Sequence, residues 1–390
     1  MPTTDAFRGL VCTATGDGYG ATATGDSDAG ARLEAAYDYG GLDRPTGWIA
    51  DDRRSMWRYG DLLGFEDPVT AGEGGTPVVD APALASAAGI AGLSIKDEGR
   101  NPTGTVLDRG LSTAVTAARE ADADLVALAA PGNAGQSAAA YAGMAEIRSY
   151  AFVPSRAPFS NKAMVNVHGG EMRVAGGRYP DAEAALHEQL RSEWYTLQEF
   201  HNPHRHDGIK TLAFELAESL SWSAPDAVVV PAGTGEVVAG AVKGFRELRE
   251  LGAIDALPPV YAAQPSGCAP LVDAYDRGAD AATAWESPDT IVGELEVPDP
   301  VGGEAALSAA AETGGGFVAV DDDDALESAV VAAQRAGLEV GTAGGVALAA
   351  VERLAEAGAI GADDHVVAVN TESGTKTADV LRSHLMGKGI

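Results

Sequence analysis

Residues 226–252, DAVVVPAGTGEVVAGAVKGFRELRELG, decide the fold. The opening run AVVVP is apolar and β-branched without alternation, which is how a strand reads when helices cover both faces of its sheet. The glycine turn GTG follows, and then a segment whose apolar positions recur at helical spacing. Strand, glycine turn and helix form the half-unit of a doubly wound α/β fold. The same rhythm extends in both directions. From about residue 76, the apolar runs GLSI, ADLVALAA, IRSYAFVP and EMRVAG alternate with LSTAVTAAREA and QSAAAYAGMAE. After residue 252 come PPVYAAQ, GGVALAAVERLAEAG and DDHVVAVN. No repeat of fixed period appears. The expected class is therefore α/β, with twisted, mainly parallel sheets. Residues 1–40, rich in Gly, Thr and Asp, read as loops and short strands. FHNPHRHDG (200–208) reads as a polar crossover loop between two α/β halves.

Ligands of such sheets bind at the carboxyl ends of strands, where glycine turns lead into helices. Four turns qualify: NPTGTVLDRG (101–110), APGNAGQS (130–137), PAGTGEVVAG (231–240) and NTESGTK (370–376). The amides of Gly233, Thr234 and Gly235, at the start of a helix, suit a phosphate, although such a turn can equally serve tight packing. Asn133 suits a helix cap or a ligand contact. The first turn is odd: it carries Thr103, Thr105, Asp108 and Arg109 around an aliphatic residue, Leu107.

Composition narrows the partners. There are 57 acidic against 27 basic residues, a net charge of −30 and a pI near 4.4, and six of the bases are lysines. An acidic, lysine-poor surface suits a salt-rich cytoplasm, where screening shortens carboxylate repulsion. It offers no basic stripe for nucleic acid or for an anionic membrane. The N-terminus MPTTDAFRGL lacks the basic and apolar regions of a signal peptide, and no run of about 18 apolar residues could span a membrane. Two cysteines, Cys12 and Cys268, exclude a disulfide framework and suit a reducing compartment. His201, His204 and His206 have no matching cysteines, so the crossover-loop reading outweighs a metal site. Cys12 and Thr15 resemble half of a zinc pair, but DSDAG (26–30) supplies no second thiolate, so neither zinc nor any other metal is expected.

In order along the chain stand WRY (57–59), GEGGTP (72–77), IKDEGRNPTGTVLDRG (95–110), PGNAG (131–135), NPHRHDGIKT (202–211), PAGTG (231–235), AQPSGCAP (263–270) and NTESGTK (370–376). Eight collinear motifs over nearly the whole chain resemble the threonine synthases, fold-type II enzymes that use pyridoxal 5′-phosphate (PLP). Residues 8–39 also resemble the zinc ribbon that precedes many of them, with most of its cysteines lost.

The resemblance implies a tryptophan synthase β-like architecture: a degenerate zinc-ribbon-like segment (1–40), a large α/β domain (41–112 and 208–390) and a small one (113–207). It implies a PLP cleft between the two domains, an amino-acid-like ligand there, and conversion of O-phosphohomoserine and water to threonine and phosphate. It leaves a homodimer open. Asn133, Gly233, Thr234, Gly235 and Thr371 match cofactor positions; Thr105, Ala130, Pro131 and Gly132 match substrate positions. Leu107 stands where relatives carry the Schiff-base lysine. Ala130 and Pro131 replace two serines, and Glu236 and Glu372 replace glycines. Leucine has no nitrogen to hold the cofactor or move a proton. Two readings follow: a silent paralogue that binds no PLP covalently, or an active threonine synthase or related lyase using a substitute lysine. Lys96, Lys162, Lys210 and Lys376 all match positions that relatives also fill with lysine.

Overall fold

The structure, a computed structural model, describes residues 3–50 and 54–388. Three short antiparallel strands come first, β1 (Phe7–Cys12), β2 (Gly18–Tyr19) and β3 (Leu33–Tyr37), in the order β2-β1-β3. Strands β4 (Val78–Asp80) and β5 (Gly92–Asp97) begin a second sheet. The chain then builds a separate one from β6 (Leu125–Ala129), β7 (Arg148–Val153), β8 (Glu171–Val174) and β9 (Tyr195–Thr196). It returns with β10 (Ala227–Pro231), β11 (Val260–Pro265), β12 (Gly316–Val320) and β13 (His365–Asn370). The sheet orders are β12-β11-β10-β13-β5-β4 and β8-β7-β6-β9. Every pairing in these two sheets is parallel except β4 with β5 at an edge.

Strand β10 shows why the unbroken apolar run was informative. Val228 and Val230 enter the core on one face of the six-stranded sheet, and Ala227 and Val229 enter the core on the other. Strand β6 does the same in the four-stranded sheet, with Val126 and Leu128 on one side and Leu125, Ala127 and Ala129 on the other. The α/β reading therefore holds. The N-terminal strands are part of the large core: Phe7, Leu10, Leu33, Ala35 and Tyr37 are buried in the same cluster as Val228 and Phe245.

One local reading needs correction. FHNPHRHDG is not a polar crossover loop, because Pro203–Ile209 forms a buried helix packed against the helix Leu107–Glu120. Pro203 opens it and Asn202 caps it, accepting from the His204 amide at 3.1 Å. Burial pushes the His204 imidazole down and the His206 imidazole to about 3, with Arg205 adding to the latter. In the N-terminal sheet, the Cys12 thiol donates to Ser27 Oγ at 3.1 Å. A hydroxyl thus stands where a second thiolate would be needed. Among the described residues, no group of three or more His, Cys, Asp or Glu is placed to hold a metal ion, and no helix is long and apolar enough to cross a membrane.

Candidate active-site cleft

The parallel strands deliver the four turns to one place. The turns after β5, β6, β10 and β13 line a cleft of about 680 Å³, open mouth included. Thr105, Leu107, Pro131, Asn133, Gly233, Thr234, Gly235 and Thr371 all line it, joined by Glu199, Arg205, Glu236 and Glu294. Two expected substrate residues are elsewhere. Ala130 is fully buried in the small-sheet core, its amide donating to Phe152 O at 2.9 Å. Gly132 lies under Asn161, whose Nδ2 would be 2.8 Å from a Cβ at this position. Neither lines the cleft.

The turn 101–106 delivers Leu107 as the first residue of the helix Leu107–Glu120, half-buried at the cleft wall. Gly104 makes the bend at φ +75°, where side chains are strained. The charged residues beside Leu107 face away from the cleft lining. Asp108 accepts from the Thr103 amide (2.7 Å), Thr103 Oγ1 (2.6 Å) and Ser137 Oγ (2.5 Å), and burial lifts its carboxyl to about 6. Arg109 is wholly buried between Glu98 (Nε to Oε2, 2.7 Å) and Glu215 (Nη2 to Oε2, 2.7 Å). Lys96 closes this network, 2.7 Å from the same Glu215 oxygen.

The loop after β10 has Gly235 at φ +90°, and a Cβ there would lie 2.9 Å from both Ala306 Cβ and Gly302 O. Glu236 then opens the helix Glu236–Leu251. In the sequence Glu236 shows only as a carboxylate in place of a glycine; the structure pairs it. Arg205 Nε lies 2.6 Å from Glu236 Oε1, and Arg205 Nη2 donates to Oε2 at 2.6 Å, with both side chains buried. Arg205 Nη1 also lies 3.4 Å from Glu199 Oε2 and donates to Leu197 O at 2.7 Å. Burial would lower Arg205, yet Glu236 and Glu199 hold it above its ordinary value; burial pushes Glu236 itself up.

Asn133 is likewise engaged, and as a tertiary contact rather than a cap. Its Nδ2 donates to Glu372 Oε2 at 2.5 Å, and its Oδ1 accepts from Asn161 Nδ2 at 3.2 Å. Lys376 Nζ donates to Gln136 Oε1 at 2.8 Å and reaches Asn161 Oδ1 at 3.5 Å. Burial, and then the neighbouring Glu294 carboxylate, push the Glu372 carboxyl well above the ordinary range. Glu294 accepts from Thr342 Oγ1 and from the Ala343 amide (3.0 Å), at the start of the helix Thr342–Glu356.

No lysine lines the cleft among the described residues. Lys96 is spent on Glu215, Lys210 on Asp207 (2.7 Å) and Glu247 (3.0 Å), and Lys243 on Glu247 (3.1 Å). Lys162 donates to Ser155 O at 2.5 Å. Sequence reasoning quoted Arg205 only as part of a motif and missed Glu199 and Glu294 as cleft residues. Their contacts cross the chain, and no local pattern marks them.

Residues 69–372 match the family described as "Pyridoxal-phosphate dependent enzyme". The chain is 35% identical over 341 residues to a threonine synthase of Methanosarcina acetivorans, covering 87% of this chain and 84% of that one. It is 31% identical over 358 residues to the threonine synthase of Methanocaldococcus jannaschii, covering 90% and 88%. The chain belongs to the threonine synthase family of pyridoxal-phosphate-dependent enzymes. Among solved structures, an L-serine ammonia-lyase from Rhizomucor miehei superposes with a TM-score of 0.69 at 19% identity, covering 79% of this chain and 97% of that one. Diaminopropionate ammonia lyase from Escherichia coli gives 0.68 at 18% identity, covering 81% and 88%. At those identities the likeness speaks for the fold alone.

Proposed function

We propose that this chain is a catalytically silent member of the threonine synthase family, which keeps the cleft for a small amino-acid-like ligand and does not hold PLP covalently. One observation carries the reading: Leu107 lies at the cleft wall where family resemblance places the Schiff-base lysine, and among the described residues no lysine lines that cleft. The substituted glutamates support it. Asn133, which the resemblance assigns to the cofactor, already donates to Glu372, and the 233–235 loop is followed by the carboxylate of Glu236, paired with Arg205. The residues present therefore do not fit the family cofactor. The family reaction supplies the test. Purified protein with added PLP and O-phosphohomoserine should release no phosphate and form no threonine. Turnover at a rate typical of an enzyme, ~1 s⁻¹ or faster, would overturn the proposal.

The acidic surface supports a working environment rich in salt, and the two buried, unpaired cysteines suit a reducing cytoplasm. With a net charge of −30, the thermal midpoint should fall on dialysis into dilute buffer. Repulsion among carboxylates then reaches about 30 Å at 0.01 M salt instead of about 3 Å at 1 M. A midpoint that stays flat or rises would contradict the halophilic reading.

A further inference from the structure

We propose that the cleft recognises the ammonium group of a small organic amine and rejects phosphate-bearing ligands, an inference that rests on the PLP-free reading above. Among the described residues, the ionisable side chains lining the cleft are three carboxylates, Glu199, Glu236 and Glu294, and one guanidinium, Arg205. Arg205 donates one hydrogen bond to Glu236, lies 2.6 Å from its second oxygen and 3.4 Å from Glu199, so its single charge already serves two acids. Glu294 is held by a hydroxyl and an amide rather than by a cation. Behind it, Glu372 is buried, and its Oε1 has no hydrogen-bond partner. A buried surplus of carboxylates is offset either by a proton or by a cation. Glu294, half-buried on the cleft wall and held only by a hydroxyl and an amide, is the place for the cation. An ammonium brings three donors and a compact charge. The remaining walls, Leu107, Pro131, Val237, Leu295 and Ala343, are apolar and suit an alkyl chain. A phosphate would meet the same surplus as repulsion.

The test uses the full-length protein with no PLP added, at constant total chloride, in isothermal titration calorimetry. Butylammonium chloride and sodium butyrate share the alkyl chain and differ in the sign of the charge. Butylammonium should bind one-to-one and butyrate, O-phosphohomoserine and inorganic phosphate should not. Glu294→Gln keeps the acceptor for Ala343 and should weaken butylammonium about tenfold or more; Leu107→Trp should abolish binding by filling the cleft. If Glu294→Gln does not fold, the wild-type contrast between butylammonium and butyrate decides the matter alone. Absence of butylammonium binding, equal or tighter binding of butyrate or phosphate, or the same response from potassium chloride would each overturn the proposal. A PLP-derived visible band in the wild type would instead defeat the PLP-free reading, and it is read separately from these titrations.

Discussion

The variant Leu107→Lys is expected to remain without threonine synthase activity, although it returns an amine to the place where family resemblance puts one. The cofactor would still meet a loop followed by Glu236, whose carboxylate holds Arg205 at 2.6 Å, and an Asn133 amide that already donates to Glu372 at 2.5 Å. Adding Glu236→Gly and Glu372→Gly frees both. The triple variant should gain a visible cofactor band on addition of PLP, well beyond the sum of the single changes, because all three act on one bound molecule. Freeing Arg205 has a cost. A buried cation left short of its partner destabilises by about 3–5 kcal/mol, so Glu236→Gly should lower the thermal midpoint and inorganic phosphate should restore part of it. Turnover should need a substrate carboxylate site as well, since misplacing reacting bonds by about 1 Å can cost about 10²-fold. Pro131, on the cleft wall, is the position at which a serine could help. Ala130 is sealed in the core, where a serine hydroxyl would be buried among apolar groups. Robust threonine formation by Leu107→Lys alone would show that the other loops are intact in function.

Arg109→Met should be among the most destabilising single substitutions in the chain. The guanidinium is wholly buried and donates to Glu98 (2.7 and 2.8 Å), Glu215 (2.8 and 2.7 Å) and Thr211 Oγ1 (3.0 Å). Two cations, Arg109 and Lys96, face two carboxylates, Glu98 and Glu215. Removing one leaves an uncompensated buried carboxylate, at a cost of about 3–5 kcal/mol, which urea denaturation would measure. Burial alone would raise Glu98 and Glu215, but Arg109 holds both below the ordinary carboxylate range. Their depressed values mean that their contribution is fully present above the ordinary carboxylate pKa and is lost as pH falls through the folded values. In the variant the unpaired carboxylate is relieved by taking up a proton while the wild type loses this contribution, so the deficit against the wild type should narrow on acidification. A loss below about 1 kcal/mol would mean that the network contributes no more than a surface ion pair.

The legible parts of the sequence were those written locally. A β-branched run, a glycine turn and a helical period can be read at 226–252 because each depends on neighbouring residues, and all four turns arrive at one cleft. Leu107 was legible through the resemblance, since the motif around it is intact. The role of Glu236 was only half legible: its charge is visible in the sequence, but Arg205 is 31 positions away. Glu294 lies in GELEV, which carries no motif, and reaches the cleft because its carboxylate meets the start of the helix Thr342–Glu356. The buried helix at Pro203–Ile209 was misread because its charges and imidazoles look like those of a surface loop. Tertiary partners remove that polarity: Lys210 is paired with Asp207 and Glu247, and His204 Nε2 lies 2.8 Å from Ala21 O. Ala130 was placed in the cleft by analogy with serines, whereas its methyl completes the small-sheet core.

The central claim is that no amine of this chain can hold the family cofactor. It is tested most directly by treating the wild-type protein with PLP and then borohydride, and mapping the peptides by mass spectrometry. The account predicts no phosphopyridoxyl-lysine at any of the six lysines. A stoichiometric adduct on one of them would contradict it. Lys376 would be the most telling site, because burial lowers its amine below the ordinary value and a single amide, Asn161, separates it from Asn133.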